Sequence, residues 1–401
     1  MTALSRAPRW GRNALIAGVV GLVAAVVVAF LSGAGAFFES YLYAFIFWTG
    51  LALGCLVMLA VQHLAGGSWG ALIRRPLEAG ALLIPLMALL FIPLLFGLGH
   101  LYEWTHADYV ASHPTVAAKA AYLNVPFFII RSALYFAIWT YGAFYFFRAS
   151  QRQDRDEATS LTLGFKLKSA GAAWIIIYVV TMTFAMVDWS MSLTPEFFSG
   201  IYSVIYMIGQ AISAVCFVVF VMVALARANP KVDELLTPKR LQDLGNFLMA
   251  FTMFWAYTSF AQLIILWSNN VIETNPYYVL RFSPSWRVVG LFLIFFGFAA
   301  PFAVLFSRWV KRKRRALVAV AVWAMFIRLL DVFFTVIPNF GREGFPLHLL
   351  DVLLLVGIGG LWLGVFSLVL SSRPVLPLYD PRLLQPDRHA HDPRMIGADH
   401  A

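Results

Sequence analysis

Long runs of apolar residues follow one another along the whole chain, and short polar segments separate them. Each run holds about 20 residues, which is the length that an α-helix needs to cross about 30 Å of hydrocarbon. The predicted spans are 14–31, 41–63, 81–99, 125–147, 170–187, 201–225, 246–267, 288–306, 316–337 and 349–370. The pattern therefore predicts an all-α polytopic membrane protein with about ten transmembrane helices.

The composition agrees with this pattern. Of the 401 residues, 61% are hydrophobic and 12% are charged, whereas a soluble domain carries about 25% charged residues. A cleaved signal peptide is the alternative for the first run, with the cleavage site at residues 34–36. Because the apolar stretch of this run is longer than the apolar region of a signal peptide, we predict that it remains as a helix.

Lysine and arginine predict the orientation of the spans, because cytoplasmic loops carry an excess of both. If the N-terminus is cytoplasmic, only four of the 30 basic residues fall in outer segments: Lys119, Arg281, Arg287 and Arg342. Apart from Arg131 and Arg328 within spans, the others are all on the cytoplasmic side. The bias predicts that both termini are cytoplasmic, and it explains the net charge of +10 without a nucleic-acid partner.

The segments between the spans carry further information. Those on the outer side are rich in aromatic and apolar residues, which favours a docking surface over flexible linkers. The residues after Ser372 are rich in Pro, Asp, Arg and His, so we expect them to extend along the cytoplasmic face. Residues 43–50 resemble residues 202–209, which indicates either a parallel repeat of four spans or chance similarity between apolar segments.

Arg328 and Asp331 lie inside one predicted span. Charged groups within a membrane cost about 2.5–3.5 kcal/mol on insertion scales, so they usually face the interior of a helix bundle and often mark a pathway. A spacing of three residues places both side chains on one helix face. The pair is either a structural ion pair that locks this helix to its neighbours or part of a proton relay.

Arg131 and Asp188 lie towards the outer ends of two other predicted spans. Arg131 either neutralises a carboxylate or extends its charged group towards the outer surface. Asp188 is followed by Trp189, and near a lipid–water boundary this acid either accepts a proton from a quinol or caps the segment that follows. Arg131 and Asp188 are therefore candidates for a proton path.

Three further polar residues are candidates for the same path. His63 lies at the inner end of the second predicted span, and histidine, with an unperturbed pKa of about 6.5, suits proton transfer. The alternative for His63 is a structural histidine bonded to a carbonyl at the helix terminus. Tyr257 and Gln262 add polar groups to the seventh predicted span, although such groups more often bond across helices than bind ligands.

The cysteine and histidine positions predict no metal or haem site. Cys55 and Cys216 lie alone in apolar runs and form no CxxC motif, which argues against an iron–sulfur cluster, a zinc site or a disulfide framework. A b-type haem needs two histidines that face each other at similar depth, whereas His63 is inner and His100 and His348 are outer. We therefore predict that this chain binds no metal or redox cofactor of its own.

Ordered motifs run along nearly the whole chain. The first part holds His63-x-x-Gly66-Gly67-x-Trp69, Arg74-Arg75-x-x-Glu78, Leu101-Tyr102-x-Trp104, Lys119-x-x-Tyr122-Leu123-Asn124 and Arg131. The middle holds Asp188-Trp189-x-Met191-Ser192-Leu193-x-Pro195, Asp243-Leu244-Gly245, Phe254-Trp255-Ala256-Tyr257, Gln262 and Trp267. The last part holds Pro301-Phe302, Arg308, Arg328-x-x-Asp331 and Pro377-Leu378-Tyr379-Asp380-Pro381-Arg382. In these motifs the chain resembles the second polysulfide-reductase-like (NrfD-like) membrane subunit of bacterial alternative complex III, a quinol:electron-acceptor oxidoreductase.

The resemblance implies ten helices arranged as two four-helix bundles plus two peripheral helices. It divides the chain into a peripheral helix at 1–40, bundles at 41–200 and 201–345, a final helix at 346–372 and a cytoplasmic tail at 373–401. It also implies a bacterial cytoplasmic membrane and a complex with a sister NrfD-like subunit, an iron–sulfur subunit and cytochrome c subunits that carry haem c. A terminal oxidase is a further partner that the resemblance implies.

The same resemblance implies that quinone or quinol is a ligand, for which the candidate contacts are Asp188, Trp189, Arg131 and His100. In the family, however, the better-supported quinol site belongs to the sister subunit. The chain departs from the family pattern after Trp267, where Glu273 is a single acid in place of a pair, and at Ala261, where a serine is usual. The expected function is a membrane subunit that anchors the redox subunits and binds quinone or conducts protons.

Two other functions also fit the sequence. A secondary transporter with a parallel repeat has broken helices near the membrane midplane, and Pro85, Pro93 and Pro301 could provide such breaks. A purely structural anchor needs no contact with quinol. Purification separates a transporter, which is expected alone, from a complex subunit, which brings haem c and iron–sulfur partners.

Overall fold

The computed structural model describes residues 9–155, 157–269, 275–342, 347–377 and 379–384. The first eight residues, the segment with Glu273 and most of the predicted cytoplasmic tail lie outside the described residues. The α-helices are Arg9–Ser32, Ala34–Ala65, Ser68–Ala81, Ile84–Phe96, Leu98–Leu101, Ala107–Ser112, Pro114–Ala117, Val125–Gln153, Glu157–Trp189, Tyr202–Ala228, Pro230–Leu235, Pro238–Asn269, Asn275–Phe282, Pro284–Phe292, Ala300–Phe306, Arg308–Arg312, Arg314–Val336, Leu349–Ser371 and Pro381–Leu384. A π-helix at Leu293–Ala299 joins the two segments on either side of it.

Within the described ranges, ten helical segments are long and apolar enough to cross a membrane. The predicted all-α, multi-pass membrane class is therefore confirmed. We number them span 1 to span 10: Arg9–Ser32, Ala34–Ala65, Ser68–Phe96, Val125–Gln153, Leu163–Leu193, Tyr202–Ala228, Pro238–Ser268, Pro284–Phe306, Arg314–Phe340 and Leu349–Ser371. Odd-numbered spans begin at the end of the molecule that carries Arg74 and Arg314, which we call the basic end, and the other end is the opposite end.

Span 3 begins earlier than the sequence predicted, and this corrects the predicted boundary at residue 81. The helix already starts at Ser68, so Arg74, Arg75 and Glu78 lie buried inside it and not in a cytoplasmic loop. A hydropathy scale does not predict such a segment as part of a membrane span because it contains charged residues, but in the structure these charges pair with one another. The helix axis is interrupted at Leu82 and Leu83, before Pro85 starts the second segment.

Spans 2 and 6 lie at the centre of the fold. In each of them, 83% of the most apolar window is buried, which is more than in any other span. Span 2 packs against spans 3, 5, 6 and 10, and span 6 packs against spans 2, 7 and 9. Residues 43–50 and 202–209, which resemble each other in sequence, thus lie in the two central helices.

Two glycines form the turn between spans 2 and 3. Gly66 and Gly67 have φ angles of +70° and +91°, a region that favours glycine because side chains with a Cβ are strained there. A Cβ on Gly67 would also lie 2.9 Å from Cδ1 of Trp69. The backbone conformation therefore explains the two glycines in the motif from His63 to Trp69, because only glycine lets the chain reverse here without strain.

Spans 1 and 10 pack against each other along backbone surfaces formed by glycines. A Cβ on Gly18 would lie 2.6 Å from the backbone nitrogen of Leu361, and a Cβ on Gly360 would lie 2.4 Å from Cα of Gly18. Small residues of this kind allow close helix contact in a membrane, where van der Waals packing is a main source of association. The two terminal spans therefore depend on one glycine-lined contact.

This contact predicts opposite effects for two glycine substitutions. Gly360→Ala should destabilise the protein by about 1–3 kcal/mol, because the added methyl group must push span 1 away. Gly164→Ala is the matched control, since a Cβ there meets no atom within 4 Å and alanine favours a helix by about 1 kcal/mol. Thermal unfolding of the detergent-purified protein measures both changes, and equal midpoints for the two variants would contradict the predicted contact.

Candidate functional site

An ion pair between Arg131 and Asp188 joins spans 4 and 5 near the opposite end. Arg131 donates from Nε to Oδ2 of Asp188 at 2.9 Å and from Nη2 to Oδ1 at 2.8 Å, so the pair is bidentate. The guanidinium also donates to the carbonyl of Tyr122 at 2.9 Å and lies 3.8 Å from the centre of its ring. Of the two sequence alternatives for Arg131, the structure therefore shows the neutralised carboxylate.

Asp188 is fully buried, and a second donor completes its surroundings. The hydroxyl of Tyr135 donates to Oδ2 of Asp188 at 2.9 Å. The next residue, Trp189, donates from its indole to Ser132 at 3.0 Å, and its carbonyl accepts from the hydroxyl of Tyr102. Asp188 therefore has hydrogen-bond donors on both carboxylate oxygens, as a buried charge requires.

A second ion pair, Arg328 with Asp331, lies within span 9. The Nη2 atom of Arg328 is 2.6 Å from Oδ2 of Asp331, and both side chains are buried. The guanidinium lies against Gly209 of span 6, where a Cβ would come within 2.0 Å of Nη2. The predicted sharing of one helix face is correct, and Gly209 provides the space that the arginine occupies between spans 6 and 9.

A chain of hydroxyl groups lies between these two ion pairs. Ser190, two residues after Asp188, is 2.7 Å from the hydroxyls of both Tyr202 and Tyr206. Tyr206 donates to Oγ1 of Thr335 at 2.8 Å, and Thr335 donates to the carbonyl of Asp331 at 3.0 Å. Hydroxyls both donate and accept, so this chain offers exchangeable protons between spans 5, 6 and 9.

The amide of Gln210 lies next to this region and connects three spans. Its Oε1 accepts from the hydroxyl of Tyr178 in span 5 at 2.6 Å. On the span 2 side, a Cβ on Gly50 would lie 3.2 Å from Cγ of Gln210, and a Cβ on Gly54 would lie 2.2 Å from its carbonyl oxygen. The central helices therefore meet in close contact at the depth of the Arg328 pair.

A separate charged cluster lies at the rim of the opposite end. Arg342 donates to Glu39 at 2.8 Å and to both oxygens of Asp351 at 3.2 Å. Ser40 donates to Asp351 at 2.6 Å, and the backbone nitrogen of His348 also donates to this carboxylate. The cluster ties span 2 to the first turn of span 10. Sequence analysis placed Arg342 only in an outer segment.

The largest charged cluster of the described residues lies at the basic end. Glu78 accepts from Nε of Arg74 and from Nη1 of Arg75, each at 2.9 Å, and Arg373 lies 3.5 Å from it. The three residues of the span 3 motif are each at most 3% exposed. Arg75 also pairs with Asp154 at the end of span 4. The buried motif thus joins spans 3, 4 and 10.

The residues that follow span 10 belong to the same cluster. Asp380 lies 2.7 Å from Nη2 of Arg382 and 3.3 Å from Nη1 of Arg74. Burial opposes the ionisation of Asp380, but the hydrogen bonds and charges of Arg382 and Arg74 outweigh it and hold the pKa of this carboxyl below its usual value. Burial lowers the pKa of Arg373 to about 10, so this arginine remains charged at neutral pH.

His63 lies beside this cluster, near the end of span 2. Its ring stacks on Phe146 with centroids 5.3 Å apart and an angle of 7° between the planes. The side chain is 4% exposed, and its Nε2 has no hydrogen-bond partner among the described residues. A ring nitrogen that is buried without a partner is uncommon, which keeps His63 a candidate site residue.

An apolar stretch separates the two sets of polar residues. Gly54 of span 2 contacts Gln210, whereas His63 lies nine residues further towards the basic end. Residues 55–61 between them are all apolar, and seven residues of helix cover about 10 Å. Along the central span 2, an apolar layer thus lies between a polar region towards each end.

Three predicted site residues lie apart from the ion pairs. Tyr257 is 67% exposed, so its side chain lies on the outer surface of the helix bundle. Gln262 is buried and accepts from Ser199 at 3.1 Å, which places it at the opposite end of span 7. His100 stacks on Phe38 at 5.8 Å and does not join the Arg131 pair.

Two of the predicted quinone contacts are buried inside the protein. Trp189 is 1% exposed, and its ring is surrounded by protein aromatics that include Phe91 at 5.4 Å, Phe136 at 5.5 Å and Trp139 at 5.8 Å. Asp188 is equally enclosed. A quinone therefore cannot touch either residue in this conformation, because both lie within the packed interior.

Sequence analysis missed two of the clusters as site candidates. The motif Arg74-Arg75-x-x-Glu78 could have indicated a charged cluster, because spacings of three and four residues place opposite charges together on a helix. The Arg342 cluster has a weaker signal in the sequence, which is that Asp351 lies three residues after His348.

The described residues contain no group of three or more His, Cys, Asp and Glu side chains that could hold a metal ion. The absence of bound cofactors remains a prediction.

The Arg131–Asp188 pair predicts strong coupling in a double-mutant cycle. Arg131→Met or Asp188→Asn alone should destabilise the protein by about 3–5 kcal/mol, because each leaves a buried partner uncompensated. The double variant should lose much less than the sum of the two. Tryptophan fluorescence during unfolding measures the effect, since Trp189 is adjacent to the pair. Additive losses would show that the two charges do not stabilise each other.

Comparison with known proteins gives no family assignment: no protein-family model matches the chain, and a search of the curated proteins finds no match.

Proposed function

We propose that the chain is a membrane subunit of a respiratory quinol-oxidising complex that holds the redox subunits in the membrane and conducts protons. The motifs that resemble the NrfD-like subunit of alternative complex III support the complex. The paired charges inside the spans support proton conduction. The observation that carries this second part is the hydroxyl series of Ser190, Tyr206 and Thr335, which begins two residues after Asp188 and ends at the backbone carbonyl of Asp331.

We place the basic end in the cytoplasm of a bacterium, because lysine and arginine accumulate on the cytoplasmic side of membrane proteins. Both termini then lie in the cytoplasm. Spans 2–5 and spans 6–9 form the two four-helix bundles of this proposal, and spans 1 and 10 are peripheral. The similar central positions of spans 2 and 6 support this division.

In this proposal the two polar regions act as half-channels. The His63 region faces the cytoplasm, and the region with Asp331 and Asp188 faces the outer side. The apolar layer of about 10 Å keeps the two apart, which prevents a proton leak in the resting state. Transfer across this layer requires a conformational change or entering water, and electron transfer in the complex supplies the energy.

The opposite end offers an ordered surface for the redox subunits. Lys119 donates to the carbonyl of Pro195 at 2.6 Å, and Tyr109 donates to Glu196 at 2.7 Å. These bonds join the segment between spans 3 and 4 to the segment between spans 5 and 6. A surface held in this way supports docking, and the exposed Phe198 on it provides an apolar contact.

The burial of Asp188 and Trp189 bears on quinone binding. Because both are enclosed, the proposal assigns quinol oxidation to the sister subunit and proton conduction to this chain. The interruption of span 3 gives little support to the transporter alternative. Leu82 still donates to the carbonyl of Glu78 at 3.0 Å and Leu83 to that of Gly80 at 3.2 Å, so the backbone there is not free to bind a substrate.

Purification of the tagged chain under mild conditions tests the complex. We expect it to bring haem c and iron–sulfur subunits in constant ratio and to retain quinol:cytochrome c reductase activity. The visible spectrum and electron paramagnetic resonance detect the two cofactors. A chain that purifies alone from its native membrane, with the redox activity in other fractions, would refute the proposed complex.

Neutralising the Arg328–Asp331 pair tests proton conduction. Asp331→Asn alone leaves Arg328 uncompensated and should cost about 3–5 kcal/mol, whereas removal of both charges is close to neutral. We therefore expect the complex with Arg328→Gln and Asp331→Asn to assemble and oxidise quinol but to lose most of its proton translocation in proteoliposomes.

The matched control removes the rim charges, with Glu39→Gln, Arg342→Gln and Asp351→Asn, so that no carboxylate loses its arginine. Arg342 and Asp351 are also buried, but the rim residues lie outside the proposed path, so translocation should persist. If the assembled complex without the Arg328–Asp331 charges translocates protons at the wild-type ratio, the pair is structural and the relay role is wrong.

A further inference from the structure

A groove with a volume of about 480 Å³ lies between spans 2, 6, 9 and 10 and the first turn of span 1. Its walls are apolar side chains, among them Phe47, Phe217, Met325 and Phe366. No charged residue is among those that line it, and Ser367 is the one hydroxyl-bearing residue there. The groove is therefore suited to a hydrocarbon ligand.

The groove is long enough for an extended hydrocarbon chain. Along span 6 its lining runs from Phe217 to Ala228, where the helix ends, which is about 16 Å of helix. Along span 10 its lining runs from Leu355 to Leu370, which is about 22 Å of helix and more than half of the roughly 30 Å hydrocarbon core. The groove therefore starts at the basic end and passes the middle of the membrane.

Three arginines are close in sequence to the residues that line the mouth of the groove. Trp10 and Ala228 line it at the basic end, and the neighbouring residues Arg9, Arg12 and Arg227 are exposed. Tryptophan is common at the level of lipid headgroups, and basic side chains at this level attract anionic lipids. The mouth thus complements a negatively charged headgroup.

We propose that this groove binds one acyl chain of an anionic phospholipid from the leaflet at the basic end. Its phosphate lies beside Arg9, Arg12 and Arg227, and its chain fills the space that spans 6, 9 and 10 leave open. The lipid thereby connects the peripheral spans 1 and 10 to the central spans. This inference depends on membrane insertion and does not depend on the proposed redox function.

An isoprenoid quinone fits the groove less well, because its head group needs polar partners and the apolar walls provide few. A phospholipid avoids this problem, because only its chain enters and its headgroup remains at the surface. A helix of a partner subunit is the other occupant that the experiment below distinguishes.

The test uses the full-length chain with the subunits that purify with it. After detergent exchange removes loosely bound lipid, palmitoyl-oleoyl phosphatidylglycerol, palmitoyl-oleoyl phosphatidylcholine or menaquinone is added in turn. Native mass spectrometry counts the retained molecules, and thermal unfolding measures stabilisation. Ala224→Trp and Ala228→Trp fill the groove, and Ala133→Trp is the matched control on an exposed face of span 4.

We expect the wild type and Ala133→Trp to retain about one phosphatidylglycerol each and to be stabilised by it. Both groove-filling variants should retain severalfold less. Replacing Arg9, Arg12 and Arg227 by glutamine should remove the preference for phosphatidylglycerol over phosphatidylcholine. Equal retention in the filled variants, displacement of the lipid by menaquinone, or loss of a protein subunit in place of lipid would each overturn the proposal.

Discussion

Arg131 and Asp188 are separated by 57 residues in the sequence and meet in a bidentate ion pair between spans 4 and 5. Taking two charges out of water costs several kcal/mol per ion, and only close pairing with additional hydrogen bonds offsets this cost. Tyr135 supplies one of those bonds. The rest of the interior follows the same rule, since Asp331 lies against Arg328 and Glu78 lies against Arg74 and Arg75.

Glycine allows these pairs to lie between closely packed helices. Gly209 leaves room for the Arg328 guanidinium, and Gly54 brings span 2 onto the carbonyl of Gln210. The close contact between spans 2 and 6 and the Arg328–Asp331 ion pair thus lie at the same depth in the membrane. The apolar layer around residues 55–61 then separates this region from the cluster at the basic end. In the proposed function, this separation lets protons move only when the complex turns over.

Different physical signals explain which features the sequence could predict. The ten spans follow from local composition, because crossing a bilayer imposes a minimum apolar length on each helix. Arg328 and Asp331 were predictable because helix geometry alone brings residues three apart onto one face. The pairing of Arg131 with Asp188 was not, since it depends on how spans 4 and 5 are rotated against each other.

Two features depend on contacts between spans. Hydropathy starts span 3 at residue 81, because it counts each charge as a penalty and does not recognise that Arg74, Arg75 and Glu78 neutralise one another. The exposure of Tyr257 does not follow from the sequence, because span 7 is apolar around most of its circumference and the pattern does not indicate which face is buried.

Cryo-electron microscopy of the complex purified from its native membrane tests the central claim most directly. The account predicts this chain in the membrane beside a second ten-helix subunit of similar fold, with iron–sulfur and haem c subunits docked on the opposite end. It also predicts Arg131–Asp188 and Arg328–Asp331 as closed ion pairs in the resting state. A chain without these neighbours, or redox subunits docked at the basic end, would contradict the account.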